Sequence, residues 1–393
     1  MKQIQAISLM IAVAAATGAA QDSSSLTREG RFWLYTVTGP VPISAGQRFH
    51  LETTGNVVLR GESGRNPAYT LRLRVQARDE REAEQLFHQL ALRNANQNGW
   101  VYFVITPPRR ITEAPDLTIS VPRGLAEARI ETRGGNLQAS GLDGSVEAHA
   151  LGGKISVDGI RGHAEVRTGG GDVQVGTVNG PVRCYSGGGV IRVQNAGSEC
   201  WLETAGGEIF LHRSDGPVHA STAGGNIRVE RAAGAVFAKT AGGLIDVQQA
   251  DGLVTAESSG GAIQVSAADG VRCDSAGGAI RLRNVAGALQ ASTSAGSILA
   301  ELASGRSRIR DSNLSANAGD VTVLISSNLA VTVLAKNQSG GAGRIISDFP
   351  EIRVKPAAAM GPGPAVAEGS LNGGGPLLRI NVVGGTIYLR KQR

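Results

Sequence analysis

The chain is poor in large side chains. Phenylalanine, tryptophan and tyrosine together make up 4% of its 393 residues, too few to build a thick globular core. Cysteine occurs only three times, as Cys184, Cys200 and Cys273. Beyond the N-terminus no stretch of 18 uninterrupted apolar residues exists, which excludes a further membrane-spanning helix. The six histidines, His50, His88, His149, His163, His212 and His219, have no metal-ligand spacing with one another or with cysteine. There is no Gly-x-x-x-x-Gly-Lys-Ser/Thr phosphate loop, and no Gly-x-Ser-x-Gly leads into a helix.

Glycine is abundant, at 55 residues, about twice its usual share of ~7%. It does not fall at every third position, so the chain is not collagen. Hydrophobic residues reach 41% and are regularly placed, so composition does not predict disorder. The net charge is +6 with a pI of about 9.5. In an exported protein such a balance suits anionic surface polymers or simple solubility rather than nucleic acid.

The strongest signal is a doublet of small residues, read as Gly-Gly-x-Ile-x-Val. It starts at Gly134, Gly152, Gly170, Gly188, Gly206, Gly224, Gly242, Gly260, Gly277 and Ala295, in steps of 18 with a single step of 17 into Gly277. Such a period means one small unit stacked on itself. A half-period of 9 runs through Ile155, Ala164, Val173, Val182, Ile191, Cys200, Ile209, Val218, Ile227, Val236, Ile245, Val254 and Ile263. Two positions after each member comes another apolar residue, from Val157 and Val166 to Val229 and Ala238. Period two is a strand with one buried face.

The expected fold is therefore all-β: a parallel β-solenoid of about ten 18-residue coils with two short strands per coil. Right-handed winding is expected from the general preference of parallel crossovers. Three six-residue strands per coil would give the same period, but the half-period opposes that arrangement. Turn glycines are expected to adopt positive φ, and the missing residue should tighten the turn at Gly270. The three cysteines fall on inward positions, with Cys184 and Cys200 out of disulfide reach, and read as small buried hydrophobes.

The ends depart from the period. Residues 1–20 (MKQIQAISLMIAVAAATGAA) read as a secretory signal peptide. Residues 21–123 read as a β-rich N-terminal cap with one helix, Glu80 to Leu92, capped by Asp79 with Glu82 completing a capping box. The repeat occupies 124–305, and 306–393 form a C-terminal β cap that includes the Pro/Ala/Gly stretch Ala357–Ala367. Caps suit a parallel stack because its end strands have unpaired edges.

The Gly-x-Ile-x-Val coils, the segment AGDVTVLI at Ala318–Ile325 and the ending LNGGGPLLRINVVGGTIYLRK resemble a bacterial family of adhesin-like proteins of unknown function built from β-strand repeats. The resemblance covers most of the chain after the signal. It implies association with the cell envelope and carries no catalytic residues to transfer.

The doublets are turn glycines rather than a phosphate cradle. Calcium binding of the β-roll kind needs a repeated Asp where this chain has Val. No cofactor is expected. The coils keep one length, so no loops wall a catalytic cleft. One outward column stands out: Arg183, Trp201, His219 and Phe237, one coil apart, with Tyr185 and Lys239 in the adjacent column. Arg192, Phe210 and Arg228 stack on the other side. This is either a stripe that takes sugar rings or anionic polymer, or a ladder that stabilises itself. The expected function is an exported, non-catalytic, adhesin-like or scaffolding module whose partner is a cell-surface polysaccharide or another envelope protein, with no nucleic acid. A self-assembling structural β-helix and a carbohydrate-active β-helix enzyme are the alternatives.

Overall fold

The computed structural model describes residues 23–108, 111, 113–302, 309–339, 344–355 and 363–392. The expected signal peptide, part of the 357–367 stretch and residues 303–308 lie outside them. In chain order, β1 (Ser23–Glu29) and β2 (Phe32–Pro40) form a hairpin. β3 (Arg48–Thr53) and β4 (Asn56–Glu62) follow, then β5 (Ala68–Gln76), α1 (Glu80–Phe87), β6 (Ala91–Gln97), β7 (Trp100–Thr106) and β8 (Asp116–Pro122). From β9 (Glu127–Thr132) and β10 (Leu137–Leu142) to β28 (Ile298–Leu302), strands alternate between two parallel sheets. We call the sheet containing β10 sheet 1 and the sheet containing β9 sheet 2.

The stacking register is the sequence period. In sheet 1 Ile155, Val173, Ile191, Ile209, Ile227, Ile245 and Ile263 lie side by side. In sheet 2 Ala164, Val182, Cys200, Val218, Val236 and Val254 do the same. All are buried, so the expected inward ladders form the core between the sheets. Each fully buried aliphatic side chain contributes about 1.5–3 kcal/mol, and stability accumulates along the rod. The shortened coil is where the period placed it: Val254 pairs with Val271 and Ile263 with Ile280. The turn between them contains Gly270 at φ +148°.

The doublets need glycine for a different reason from the one expected. None of them has positive φ. Instead, a Cβ on the second glycine would collide with the backbone of the coil before it: Gly207 against Gly189, Gly225 against Gly207, Gly243 against Gly225. The first glycine, for example Gly188 or Gly206, has open space or ordinary contact, and Ala295 occupies that position in the last doublet. The sharp turn brings backbones within contact distance, and only the second position lacks room for a side chain.

A buried hydroxyl three residues earlier holds this turn. Thr222 Oγ1 donates to Gly207 O at 2.9 Å and accepts from Gly225 N at 3.2 Å. The same pair of bonds recurs at Thr168, Ser186, Thr204, Thr240, Ser258, Ser275 and Thr293. Each hydroxyl links its own coil to the preceding one and satisfies two backbone groups of the tight turn. Ala150 interrupts the ladder between Thr132 and Thr168. The repeat motif is thus Thr/Ser-x-Gly-Gly, of which only the glycines are conspicuous in sequence.

At both ends the coils are stacked out of chain order. The coil β3–β4 lies between β7–β8 and β9–β10, paired in parallel with each. At the other end come β29 (Ser312–Ala318), β30 (Val321–Ile325), β31 (Val331–Asn337), β32 (Arg344–Ser347), β33 (Arg353–Lys355), β34 (Ala365–Leu371), β35 (Leu377–Gly384) and β36 (Thr386–Lys391). The coil β35–β36, last in sequence, is inserted between β29–β30 and β31–β32. Asn337 replaces the ladder hydroxyl here, its buried Nδ2 donating to Gly385 O at 2.7 Å. The regions expected as caps therefore contribute coils of their own.

Antiparallel strands cover the stack beyond these coils. β5 lies on β8 and β6 on β7 at one end, and β34 on β31 at the other. The outermost strands at the far end, β32 and β33, are short and carry Arg344, Arg353 and Lys355, which discourages edge pairing. The helix is shorter than expected. Asp79 caps it by accepting from Glu82 N at 2.9 Å, and the Glu82 carboxylate accepts from Arg78 N at 2.9 Å. Residues 88–90 turn the chain and β6 begins at Ala91, because Asn98 and Gly99 at φ +53° and +78° form the tight β6–β7 hairpin turn.

Candidate functional site

Outward positions of sheet 2 are set by the same arithmetic as the core. Side chains alternate across each strand, so residues one step from the buried ladder line up on the surface. Register places Arg183 beside Trp201, Trp201 beside His219 and His219 beside Phe237. The neighbouring column is Tyr185, Glu203, Ser221, Lys239 and Glu257. All six expected site residues therefore lie on one face of the rod.

The aromatic column is a stack. The Trp201 and His219 rings lie 4.4 Å apart at 18°, and Phe237 leans on His219 at 6.0 Å. His219 and Phe237 are half-buried by this packing, as the self-stabilising reading requires. Trp201 and Tyr185 differ: they remain 43% and 44% exposed, far more than packing among themselves would leave. Lys239 is not a free cation, because its Nζ lies 2.9 Å from Glu257.

A shallow cleft opens beside Trp201. Glu165, Arg167, Arg183, Tyr185, Trp201 and Glu203 surround it, and Val166 and Cys184 lie at its base. Tyr185 also borders the depressions on either side, one reaching His149 and Leu151, the other Lys239 and Ser259. Glu165 is taken up by Arg167, 2.6 Å away on the same strand. Arg183, although in register with Glu165, is left with no ion pair among the described residues. Burial pushes the Cys184 thiol well above its ordinary range, and Cys200 and Cys273 up to about 12. All three are free and buried, as their inward addresses required, and are unsuited to thiolate chemistry.

Nearer the N-terminal end the same face carries a second cluster that the period did not reveal. Tyr102, His50 and Arg129 continue the Arg183–Trp201 column in register. Arg48 and Arg129 lie over the Trp100 ring at 5.6 and 5.3 Å. Burial, more than any charge, lowers the His50 pKa. Arg129 Nε donates to Glu147 at 2.7 Å and holds that carboxyl below its ordinary range. The alternating Trp100-x-Tyr102 on a strand was the available signal. On the opposite sheet, Arg192, Phe210 and Arg228 do stack, but Arg228 lies 3.8 Å from both Glu230 and Asp246. Among the described residues no three His, Cys, Asp or Glu side chains gather at metal-binding distance, and no helix is long and apolar enough to cross a membrane.

No protein-family model matches this chain, and no curated protein sequence matches it. The solved structures similar in part include three bacterial proteins. A candidate adhesin from Bacteroides fragilis NCTC 9343 shares 16% identity over 63% of this chain and 95% of its own, with a TM-score of 0.35. A candidate cell adhesion protein from Clostridium sporogenes ATCC 15579 shares 7%, covering 95% and 100%, at 0.19. A candidate lipid-binding protein from Parabacteroides distasonis ATCC 8503 shares 12%, covering 91% and 97%, at 0.20. Likenesses this faint carry no argument about ligand or activity.

Proposed function

We propose that the chain is an exported, non-catalytic, adhesin-like binding rod of the bacterial cell envelope, and that it recognises a surface polymer through the outward face of sheet 2. The observation that carries this reading is the exposure of Tyr185 and Trp201, at 44% and 43%, around a cleft on a face where His219 and Phe237 are stacked and Lys239 is ion-paired. Exposed aromatic surface beside a cation marks a recognition patch rather than a fold requirement. The non-catalytic part rests on the coils: they hold one length, so the cleft is shallow and lacks the enclosing loops that position and desolvate a substrate. Export rests on the N-terminal sequence alone.

The test replaces Tyr185 and Trp201 together by Ser. Both side chains are outward, so the fold should remain, as circular dichroism would verify. Pull-down by isolated cell-wall polysaccharide and by whole cells should then fall at least tenfold. Unchanged binding by a folded double variant would overturn the assignment of this face.

A further inference from the structure

The geometry points to an acidic sugar as the unit this cleft selects: we infer that Arg183 receives the carboxylate of a uronate-type residue in a glycan while Trp201 and Tyr185 pack against its ring. The inference rests on the proposed recognition face and names its ligand class.

Three observations combine. The first is the free cation. In a periodic sheet a charge normally finds its opposite one coil away, as Lys239 finds Glu257 at 2.9 Å and Arg129 finds Glu147 at 2.7 Å. Arg183 has an acid in register, Glu165, yet that carboxylate is engaged by Arg167 at 2.6 Å. A guanidinium so placed offers a planar fork of donors that matches a carboxylate.

The second is the asymmetry of Trp201. One of its faces is occupied by His219 at 4.4 Å. Among the described residues no cation or ring covers the other, and the tryptophan borders the cleft together with Arg183 and Tyr185. Sugar rings present C–H faces that pack on such a surface, and the stack behind Trp201 holds it in place, so little side-chain freedom is lost on binding.

The third is Glu203, which borders the same cleft and has no partner among the described residues. A carboxylate there accepts from sugar hydroxyls. It also repels a ligand of dense negative charge, such as a polyphosphate. One carboxylate per ring, flanked by hydroxyls, fits both Arg183 and Glu203.

The full chain is titrated with an oligogalacturonate and with its methyl ester, which keeps every ring atom and turns the charged carboxylate into a neutral ester. The acid should bind at least tenfold more tightly, with the advantage lost as salt rises, since an exposed charge is screened. Arg183→Gln should lower affinity for the acid to that of the ester. Trp201→Ala should weaken both ligands, and Arg192→Gln on the opposite sheet should weaken neither. Equal binding of acid and ester, no binding of the acid at millimolar concentration, or an Arg183→Gln variant that retains the preference would each overturn the inference. The recognition face itself is judged separately: if Tyr185 and Trp201 are still required for cell-wall binding, it stands while the acidic sugar falls.

Discussion

The centre and the ends of this rod solve the same stacking problem with different chain orders. In the centre every coil lies on the one before it, and paired residues are 18 apart, as Ile209 and Ile227 are. At the ends the coil β3–β4 is enclosed by strands from elsewhere in the sequence, and β35–β36 is pushed in between two earlier coils. A central coil forms from local contacts with a low loop-closure cost. An end coil is held by long-range pairing on both faces. The physical gain is closure: a purely sequential stack would leave its terminal coil attached on one side only, free to fray or to template another chain. The inserted coil lets neither end peel away one coil at a time.

Removing the inserted coil breaks this difference most directly. Deleting Leu377 onward would remove buried Leu378, Ile380, Val382, Ile387 and Leu389 and separate β31–β34 from the rod. At roughly 1.5–3 kcal/mol for each buried side chain, about 10 kcal/mol of local stability is lost. Hydrogen exchange should show β31–β34 unprotected, while β29–β30, still paired with β27 and β28, and the centre stay protected. Protection maintained over β31–β34 would mean that these strands hold without the insertion.

The next effect lies in the centre, within one doublet. Gly207→Ala places a methyl group in the backbone of Gly189, and the two coils must separate, costing about 3 kcal/mol or more. Gly206→Ala, one residue earlier, meets only ordinary contact and should shift stability by less than about 0.5 kcal/mol. Equal midpoints in urea for the two variants would show that the turn depends on backbone freedom and not on close approach.

The contrast between centre and ends is also what divides the legible from the hidden. Ile155, Val173 and their successors announce the core because each coil repeats the same demand at the same interval. The column Arg183, Trp201, His219, Phe237 follows from the identical arithmetic, so its adjacency is legible in the sequence. Phe49 stacks on Val101 and Ala128, and neither separation repeats elsewhere in the chain. No periodic signal can express an insertion that happens once. Apolar spacing alone extends the helix to Leu92, because Leu90 and Leu92 continue its stripe, while the Asn98-Gly99 turn recruits residues from Ala91 into a hairpin. At the site, spacing gave adjacency but not pairing. That Lys239 is neutralised and Arg183 is not depends on which of several nearby carboxylates each guanidinium or ammonium reaches, a choice made by side-chain conformation.

The hydroxyl ladder gives the finest test, because the chain contains its own exception. Thr222→Val keeps the shape of the side chain but leaves Gly207 O and Gly225 N without their shared partner. Leaving buried backbone groups unpaired costs about 1–3 kcal/mol. Ala150 is the natural counterpart, a buried position where the ladder between Thr132 and Thr168 carries no hydroxyl. Ala150→Thr should restore a donor to the Gly135 turn and an acceptor for Gly153 N, raising stability by about 1 kcal/mol. The two changes should oppose each other in a double variant and simply add, since they lie four coils apart and share no partner. If Ala150→Thr destabilises instead, the alanine is there to make room, and the glycine turn before Gly153 is packed more tightly than those that follow it.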